Sequence, residues 1–267
     1  MQEKTKIELN NQRKAELAEL AEFISMEYCP QGIVLPEIIA EKMGISYNYK
    51  KYSDRFDGIL EYDDKGFHIY LNIQNQNDAK IRFSFAHELG HYFIDEHRNA
   101  LKKGKSLHKS YNQYFRRNII EMEADLFASN LLMPKCRFLN SIRNKKFSAE
   151  MIKSLMIEYN VSFTACAIRI IDVGIHPIMI VFAENGYVKW KYSSSDFPYK
   201  RLRNDKIVPK DTVMGEYFYQ NKKDDIKKTE TVWAMDWFNV IDEDIRRIFY
   251  EYCIDHKNFA LSVIWED

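Results

Sequence analysis

Residues 87–91 read His-Glu-Leu-Gly-His, and this stretch decides how the chain around it must fold. Residues four apart lie on one face of an α-helix, so His87 and His91 can both direct a ring nitrogen at one metal ion. Glu88 is rotated by about 100° around the helix from His87, where a general base for an activated water belongs. The sequence therefore predicts a helix that holds a catalytic zinc ion (Zn²⁺).

The residues around this motif give the predicted helix two different faces. On a helical projection, Phe85, Leu89 and Tyr92 fall opposite the two histidines. One face would then pack on a core, while the other would hold a metal. The alternative is a core helix whose histidines only make hydrogen bonds, and the spacing of the motif favours the metal.

A catalytic zinc ion needs a third protein ligand, and His97 is one candidate. It lies ten residues after His87, which is the spacing of the third histidine in a metzincin. That arrangement requires glycine at position 94, and Ile94 resists the positive φ of such a turn. If the helix continues past His91 instead, His97 lies about 9 Å further along its axis and cannot reach the same ion. The sequence predicts that His97 is a surface residue.

Residues 121–134 offer a second source of the third ligand, because they predict a helix that ends at its proline. Glu121 and Asp125 share one face of this helix, and Glu123 points about 160° away from Glu121. The small side chain of Ala124 would let another helix approach closely. We therefore expect Glu121 to bind zinc and Asp125 to accept a hydrogen bond from the far nitrogen of a ligand histidine. The alternative is a solvated acidic face.

Two stretches of the chain resemble the ImmA/IrrE family of zinc metallopeptidases. Residues 82–92, Arg-Phe-Ser-Phe-Ala-His-Glu-Leu-Gly-His-Tyr, carry the first part of the resemblance, and residues 121–134 carry the second. A fainter similarity covers residues 34–45. Together the two main stretches make up about a fifth of the chain, and their motifs are specific.

The resemblance implies a gluzincin-like site in which His87, His91 and Glu121 bind zinc and Glu88 is the catalytic acid and base. Members of this family are intracellular proteases that cut helix-turn-helix repressors, often in stress responses or mobile elements. A basic segment at 101–117 separates the two motifs, and the sequence assigns it no role.

Composition indicates a cytoplasmic enzyme with a full hydrophobic core. The chain has 267 residues, 46% of them hydrophobic, and a formal net charge of zero, so nothing global indicates a nucleic-acid partner. No apolar run approaches the 18 residues or so of a membrane span, and the N-terminus is polar. The cysteines, at positions 29, 136, 166 and 253, are far apart, which predicts buried, reduced thiols.

We expect an α+β fold in three parts. Residues 1–134 would form a zincin-like metallopeptidase domain, with a small sheet from strands between 47 and 72 ahead of the metal helix. Residues 135–175 predict a helical pair like a helix-turn-helix, with a local net charge of +4. Packing on the catalytic domain is favoured over DNA binding for this pair. Residues 176–267 predict strands at 178–182, 187–192 and 259–265, and the resemblance implies a smaller α/β domain for sensing or interaction in this part of the chain.

These expectations combine into a zinc-dependent endopeptidase that hydrolyses one specific protein, a helix-turn-helix repressor. An extended loop of that substrate could lie along an edge strand of the small sheet. The alternative is a regulatory protein that keeps the metal site and binds its partner without cutting it. In either case the partner is a protein, and direct contact with nucleic acid or membrane is not expected.

Overall fold

The computed structural model describes residues 9–53, 56–74, 76–104, 119–220, 228–256 and 258–266. Most of the basic segment at 101–117 lies outside these residues. The chain divides into two compact units, Met1–Ser141 with Met156–Ser162 and Ile142–Leu155 with Phe163–Asp267. Helices and strands are mixed in the manner of an α+β fold, as predicted. The domain boundaries at 134 and 175 stay predictions.

The first unit contains most of the helices. Its elements are α1 (Asn11–Tyr28), α2 (Pro36–Lys42), β1 (Ser46–Lys50), β2 (Gly58–Asp63), β3 (Gly66–Asn72), α3 (Asp78–Phe93), α4 (Asp95–Lys102), α5 (Ile119–Leu132) and most of α6 (Lys135–Ile142). Helix α7 (Ala149–Tyr159) contains one of the boundaries between the two units.

The remaining elements belong to the second unit. They are α8 (Phe163–Val173), β4 (Ile178–Glu184), β5 (Tyr187–Ser193), α9 (Val213–Gln220), β6 (Thr229–Trp233), α10 (Ala234–Trp237), a 3-10 turn (Asp242–Asp244), β7 (Ile248–His256) and β8 (Phe259–Trp265).

The small sheet that precedes α3 has the strand order β1-β3-β2. Strand β1 is parallel to β3, whereas β2 and β3 form an antiparallel hairpin. The hairpin turn is closed by Asp63, whose carboxylate accepts a hydrogen bond from the backbone N–H of Lys65 at 2.8 Å, and by Gly66 at φ 111°. The predicted strands of this region are therefore confirmed, and β2 is an outer strand of the sheet.

Helix α3 begins and ends where local chemistry requires it. At its start, Asn77 accepts a hydrogen bond from the backbone N–H of Lys80 at 2.9 Å, which caps the helix. At its end, Ile94 is extended (φ −76°, ψ 112°), and α4 starts at the next residue. The two helices are therefore separate segments, which changes where the residues after Ile94 lie.

Helices α3 and α5 cross at a point where both backbones are close. A Cβ atom added at Gly90 would lie 3.2 Å from the Cα atom of Ala124 and 3.2 Å from the ring of Phe127. Only small residues permit this approach, so the predicted close contact between the two motif helices is confirmed. The crossing brings the start of α5 to the histidine face of α3.

The second unit is built on a five-stranded sheet of order β5-β4-β8-β7-β6 in which every pair is antiparallel. The β4–β5 hairpin turns through Asn185 (φ 51°) and Gly186 (φ 77°), the positive φ pair of a two-residue turn. Strand β8 pairs with β4, as the sequence predicts. One face of the sheet packs in a core that includes Trp237 and Phe249.

Helices α7 and α8 occupy the region predicted to form a helical pair, with Asn160 at φ 49° in the turn between them. Helix α8 buries six of its eleven residues, and Phe163 at its start contacts the ring of Tyr252. Such burial is typical of a helix that packs on a sheet. Among the described residues no single helix is long and apolar enough to cross a membrane, and only α7 and α8 taken together reach that length and hydropathy.

No disulfide joins the four cysteines, all of which lie among the described residues. Cys29, Cys166 and Cys253 are buried as expected, but Cys136 is exposed, so the prediction of burial was wrong there. Its place at the start of α6 explains the difference, because the second residue of a short surface helix need not face the core.

Candidate metal centre

The crossing of α3 and α5 brings His87, His91 and Glu121 together, with one ligand atom of each within 4.8 Å of the others. The Nε2 atoms of the two histidines are 3.1 Å apart. From Glu121, one carboxylate oxygen lies 3.3 Å from Nε2 of His87 and the other 3.8 Å from Nε2 of His91. Both rings are buried. These are the three residues that the sequence proposes as metal ligands.

The far side of the His87 ring contacts Asp125. The distance from Nδ1 of His87 to the carboxylate of Asp125 is 3.0 Å. A carboxylate only accepts hydrogen bonds, so the Nδ1 atom carries a proton and donates it. Asp125 lies one helical turn after Glu121, and this spacing puts both carboxylates beside the same ring. In a neutral His87, the Nε2 lone pair is thereby directed at the three-residue group.

The far side of the His91 ring contacts His97, which is only 3% exposed. The Nδ1 atoms of the two rings are 3.1 Å apart. The prediction that His97 lies on the surface was therefore wrong. It assumed that α3 continues past His91, whereas the chain turns at Ile94 and α4 carries His97 back beside the end of α3. His97 is not in the three-residue group, but it touches one of its members.

Glu123 lies outside the group, as its direction on α5 predicts. One of its oxygens lies 2.9 Å from Nε2 of His97. Arg13 of α1 donates to the same carboxylate, through Nε at 2.7 Å and through a terminal nitrogen at 3.2 Å. The sequence analysis considered His97 only as a third ligand and missed Arg13 entirely. Arg13 is more than a hundred residues from Glu123, and no periodic pattern connects the two.

The charges around the three residues favour a cation between them. Burial lowers the pKa of His87, but its hydrogen bonds to Asp125 and Glu121 outweigh burial and raise that pKa to about 10. Burial and the neighbouring rings of His87 and His97 hold the pKa of His91 well below its ordinary value. Without a metal, a proton on His87 thus supplies the positive charge that the carboxylates require.

The donor set fits a zinc ion. Two ring nitrogens and one carboxylate converge, which is the His2Glu set that leaves a fourth position open for water or substrate. Zinc binds histidine nitrogen at about 2.0–2.1 Å with tetrahedral angles, so two ligand nitrogens lie about 3.3 Å apart. The observed separation of 3.1 Å between the Nε2 atoms is close to that value. Little rearrangement is needed to replace the proton by the metal.

Glu88 is buried beside this group but is not a member of it. Strand β2 begins against its side chain. A Cβ atom added at Gly58 would lie 2.8 Å from Oε1 and 2.9 Å from Cγ of Glu88. Only glycine allows the strand to pass so closely, so Gly58 sets the position of the Glu88 carboxylate. Sequence reasoning missed Gly58, although a glycine at the start of a strand is a signal of close backbone approach.

Comparisons with known proteins agree with this geometry. Residues 40–170 match the family model of Peptidase M78, described as the IrrE N-terminal-like domain. A solved structure called "Mycobacterium tuberculosis transcriptional regulator" is similar over 94% of this chain and 76% of its own, with a TM-score of 0.63 and 15% sequence identity. No curated protein matches the sequence.

The mycobacterial structure is too distant in sequence to show more than a shared fold. The family model covers about half of the chain, including α3, α5 and the possible metal site between them. A metallopeptidase-like role follows from that match. This chain therefore belongs to the ImmA/IrrE family through its IrrE N-terminal-like domain.

Proposed function

We propose that this protein is a zinc-dependent endopeptidase. The observation that carries the proposal is the convergence of His87, His91 and Glu121, whose ligand atoms lie within 4.8 Å of one another beside the buried Glu88. Two ring nitrogens and a carboxylate meet here, and without a metal they depend on a proton of His87 for their positive charge. Such a group needs a cation, and the fourth position of a His2Glu set is open for chemistry.

Each residue has a distinct task in this proposal. A zinc ion in the site would lower the pKa of water towards neutrality and polarise the scissile carbonyl. Glu88 accepts the proton of the attacking water and passes it to the leaving amine. Asp125 orients His87 by accepting its Nδ1 proton. Gly58 holds β2 against Glu88, so that the carboxylate keeps its direction while the proton moves.

We propose a transcriptional repressor of the helix-turn-helix type as the substrate, bound as an extended segment along β2. This strand is an outer strand of its sheet, and it starts at the Glu88 carboxylate. A peptide paired with it would pass the catalytic group. The fold neighbour is called a transcriptional regulator, which agrees with a regulatory setting. Cysteines that form no disulfide, like the four described here, are typical of a reducing compartment, so we place the activity in the cytoplasm.

The test separates metal binding from catalysis. Elemental analysis of the purified protein should find about one zinc per chain, and a His87→Ala, His91→Ala double variant should lose it. Glu88→Gln keeps the size of the side chain but removes the base, so it should retain zinc while cleavage of the repressor falls by roughly 10²-fold or more. Glu19→Gln, an exposed position on α1, is the matched control and should cleave like the wild type. Cleavage by Glu88→Gln at the wild-type rate would contradict the mechanism.

The alternative is a regulatory protein that binds the repressor without cutting it. Its distinguishing result is a stable complex of zinc-loaded wild-type protein with the intact repressor, without fragments after prolonged incubation. The endopeptidase should instead produce two discrete fragments and leave unrelated folded proteins whole.

A further inference from the structure

We propose that His97 is a positioning residue for the metal site and that Glu123 and Arg13 act through it. The three residues form a chain of hydrogen bonds that keeps the ring proton of His91 on Nδ1. The Nε2 lone pair of His91 then faces His87 and Glu121. This inference rests on the proposed metal site, but it does not depend on whether the protein hydrolyses peptides.

At the outer end of this series of hydrogen bonds, the Glu123 carboxylate is an acceptor held in a fixed position. The guanidinium group of Arg13 only donates, and it holds the Glu123 carboxylate through two hydrogen bonds of 2.7 and 3.2 Å. Glu123 is buried, and these two hydrogen bonds fix the position of its carboxylate. Because a paired carboxylate can only accept, Nε2 of His97 must carry the proton in its 2.9 Å contact with Glu123.

The tautomer of His91, at the inner end of the series, follows from the chemistry of imidazole. A neutral ring has one N–H group, so with the proton on Nε2 the Nδ1 atom of His97 is an acceptor. It lies 3.1 Å from Nδ1 of His91. One proton must lie between these atoms, and His91 has to supply it. The remaining nitrogen of His91, Nε2, is then the one directed at the metal.

The two ligand histidines thus reach the same tautomer by different routes. His87 donates directly to Asp125, whereas His91 donates to a second imidazole that is polarised by Glu123 and Arg13. Interactions behind a metal ligand contribute to metal affinity because they set its tautomer and ring orientation. The route behind His91 crosses three elements, α1, α4 and α5, and it would tie zinc retention to the packing of α1.

The wild-type tautomers are the first test. Nitrogen-15 NMR correlations within the rings of the zinc-free full chain distinguish a proton on Nδ1 from one on Nε2. His91 should carry its proton on Nδ1 and His97 on Nε2. A proton on Nε2 of His91 or on Nδ1 of His97 would overturn the proposal. The result stands whether or not any substrate is cut, so it is independent of a failure of the proposed function.

Glu123→Gln tests the outer end. Arg13 can only donate, so it should pair with the oxygen of the new amide group. The amide NH2 group then faces Nε2 of His97, which also carries a proton, and two donors oppose each other. Zinc affinity, measured by competition with a chelator, should fall by about 10- to 100-fold. Glu96→Gln is the matched control, because Glu96 accepts from Arg13 at 3.1 Å but does not bond to His97 in this chain of contacts. An unchanged affinity in Glu123→Gln would overturn the proposal.

A pair of variants at position 97 separates positioning from packing. An open cleft of about 550 Å³ borders His97, so a truncation to alanine would let water replace the lost acceptor. His97→Leu fills the space without an acceptor, whereas His97→Asn puts a carbonyl oxygen near the place of Nδ1. If His97 positions His91, Asn should retain more zinc affinity than Leu. The opposite order would indicate that His97 only fills space and would overturn the proposal.

Discussion

Each unit of the protein contains a buried polar cluster, and the two clusters differ in their balance of donors and acceptors. In the second unit, Glu251 is fully buried and accepts four hydrogen bonds. The backbone N–H groups of Val213 and Met214 donate to it at 3.0 Å, the indole of Trp237 donates at 2.8 Å, and the hydroxyl of Ser262 is the fourth donor. The carboxylate caps α9 and joins it to the sheet. This network is complete as it stands.

In the first unit the acceptors converge instead. The Nε2 atoms of His87 and His91 lie 3.1 Å apart with Glu121 beside them. The protons of these two rings are required on their other sides, by Asp125 and, in our proposal, by His97. A balanced network stabilises a fold, whereas an excess of acceptors creates a place for a cation. Burial and charge alone would not distinguish the two clusters.

The largest effect should come from breaking the balanced network. Glu251→Leu leaves four buried donors without an acceptor, and each unsatisfied group costs about 1–3 kcal/mol. We expect the free energy of unfolding, measured by urea denaturation, to fall by roughly 4 kcal/mol or more. Zinc content should stay at one per chain. Glu230→Leu, the exposed partner of Glu251 on β6, is the control and should change stability little. A loss below about 1 kcal/mol would contradict a structural role.

Removing the zinc ion that we propose should weaken the cluster in the first unit. A ligand that binds only the folded state stabilises it by about 2.7 kcal/mol when its free concentration is 100 times its dissociation constant. A chelator should therefore lower the melting temperature of the wild type. The His87→Ala, His91→Ala variant should show no response to the chelator. An equal response in both proteins would show that the stabilising metal is bound elsewhere.

The Gly58 contact tests how finely the carboxylate of Glu88, the base in our proposal, is placed. Gly58→Ala puts a methyl group where Glu88 lies, so the carboxylate must move while the three ligands stay in place. Misplacement by about 1 Å can cost up to 10²-fold in rate, and we expect a loss of cleavage of about tenfold or more. Zinc content, measured in parallel, should be unchanged. Loss of zinc together with activity would show that β2 supports the ligands rather than Glu88.

The smallest expected effect concerns the start of α3. Asn77→Ala removes the side-chain cap, which costs about 1 kcal/mol of stability. His87 lies almost three turns further along the helix, so zinc content should remain at one per chain. Urea denaturation gives the first quantity and elemental analysis the second. A loss of zinc would mean that the metal face depends on the whole helix rather than on its crossing with α5.

Helices and strands with a regular pattern of hydrophobic residues were predictable from the sequence. The α3 and α5 helices, the small sheet and the β4–β5 hairpin were all expected, because each carries a turn signal or an apolar face. Strands β6 and β7 were not. Residues from both faces of β7 are buried, and Glu251 in its centre reads as a polar residue, so no simple alternation marks this strand. Because the polar residue Glu251 is buried, β7 lacks the alternation of polar and apolar residues from which a strand is predicted.

Local sequence spacing is enough to predict which side chains one helix presents together. The spacing of His87 and His91 sets a shared face, and the spacing of Glu121 and Asp125 does the same on α5, since both follow from the helical period alone. The residues that other segments bring to these side chains depend on tertiary packing and could not be predicted in this way. The packing of α1 brings Arg13 to the site, the start of β2 brings Gly58, and the turn at Ile94 brings His97. These positions depend on packing between segments that no helical or strand periodicity connects.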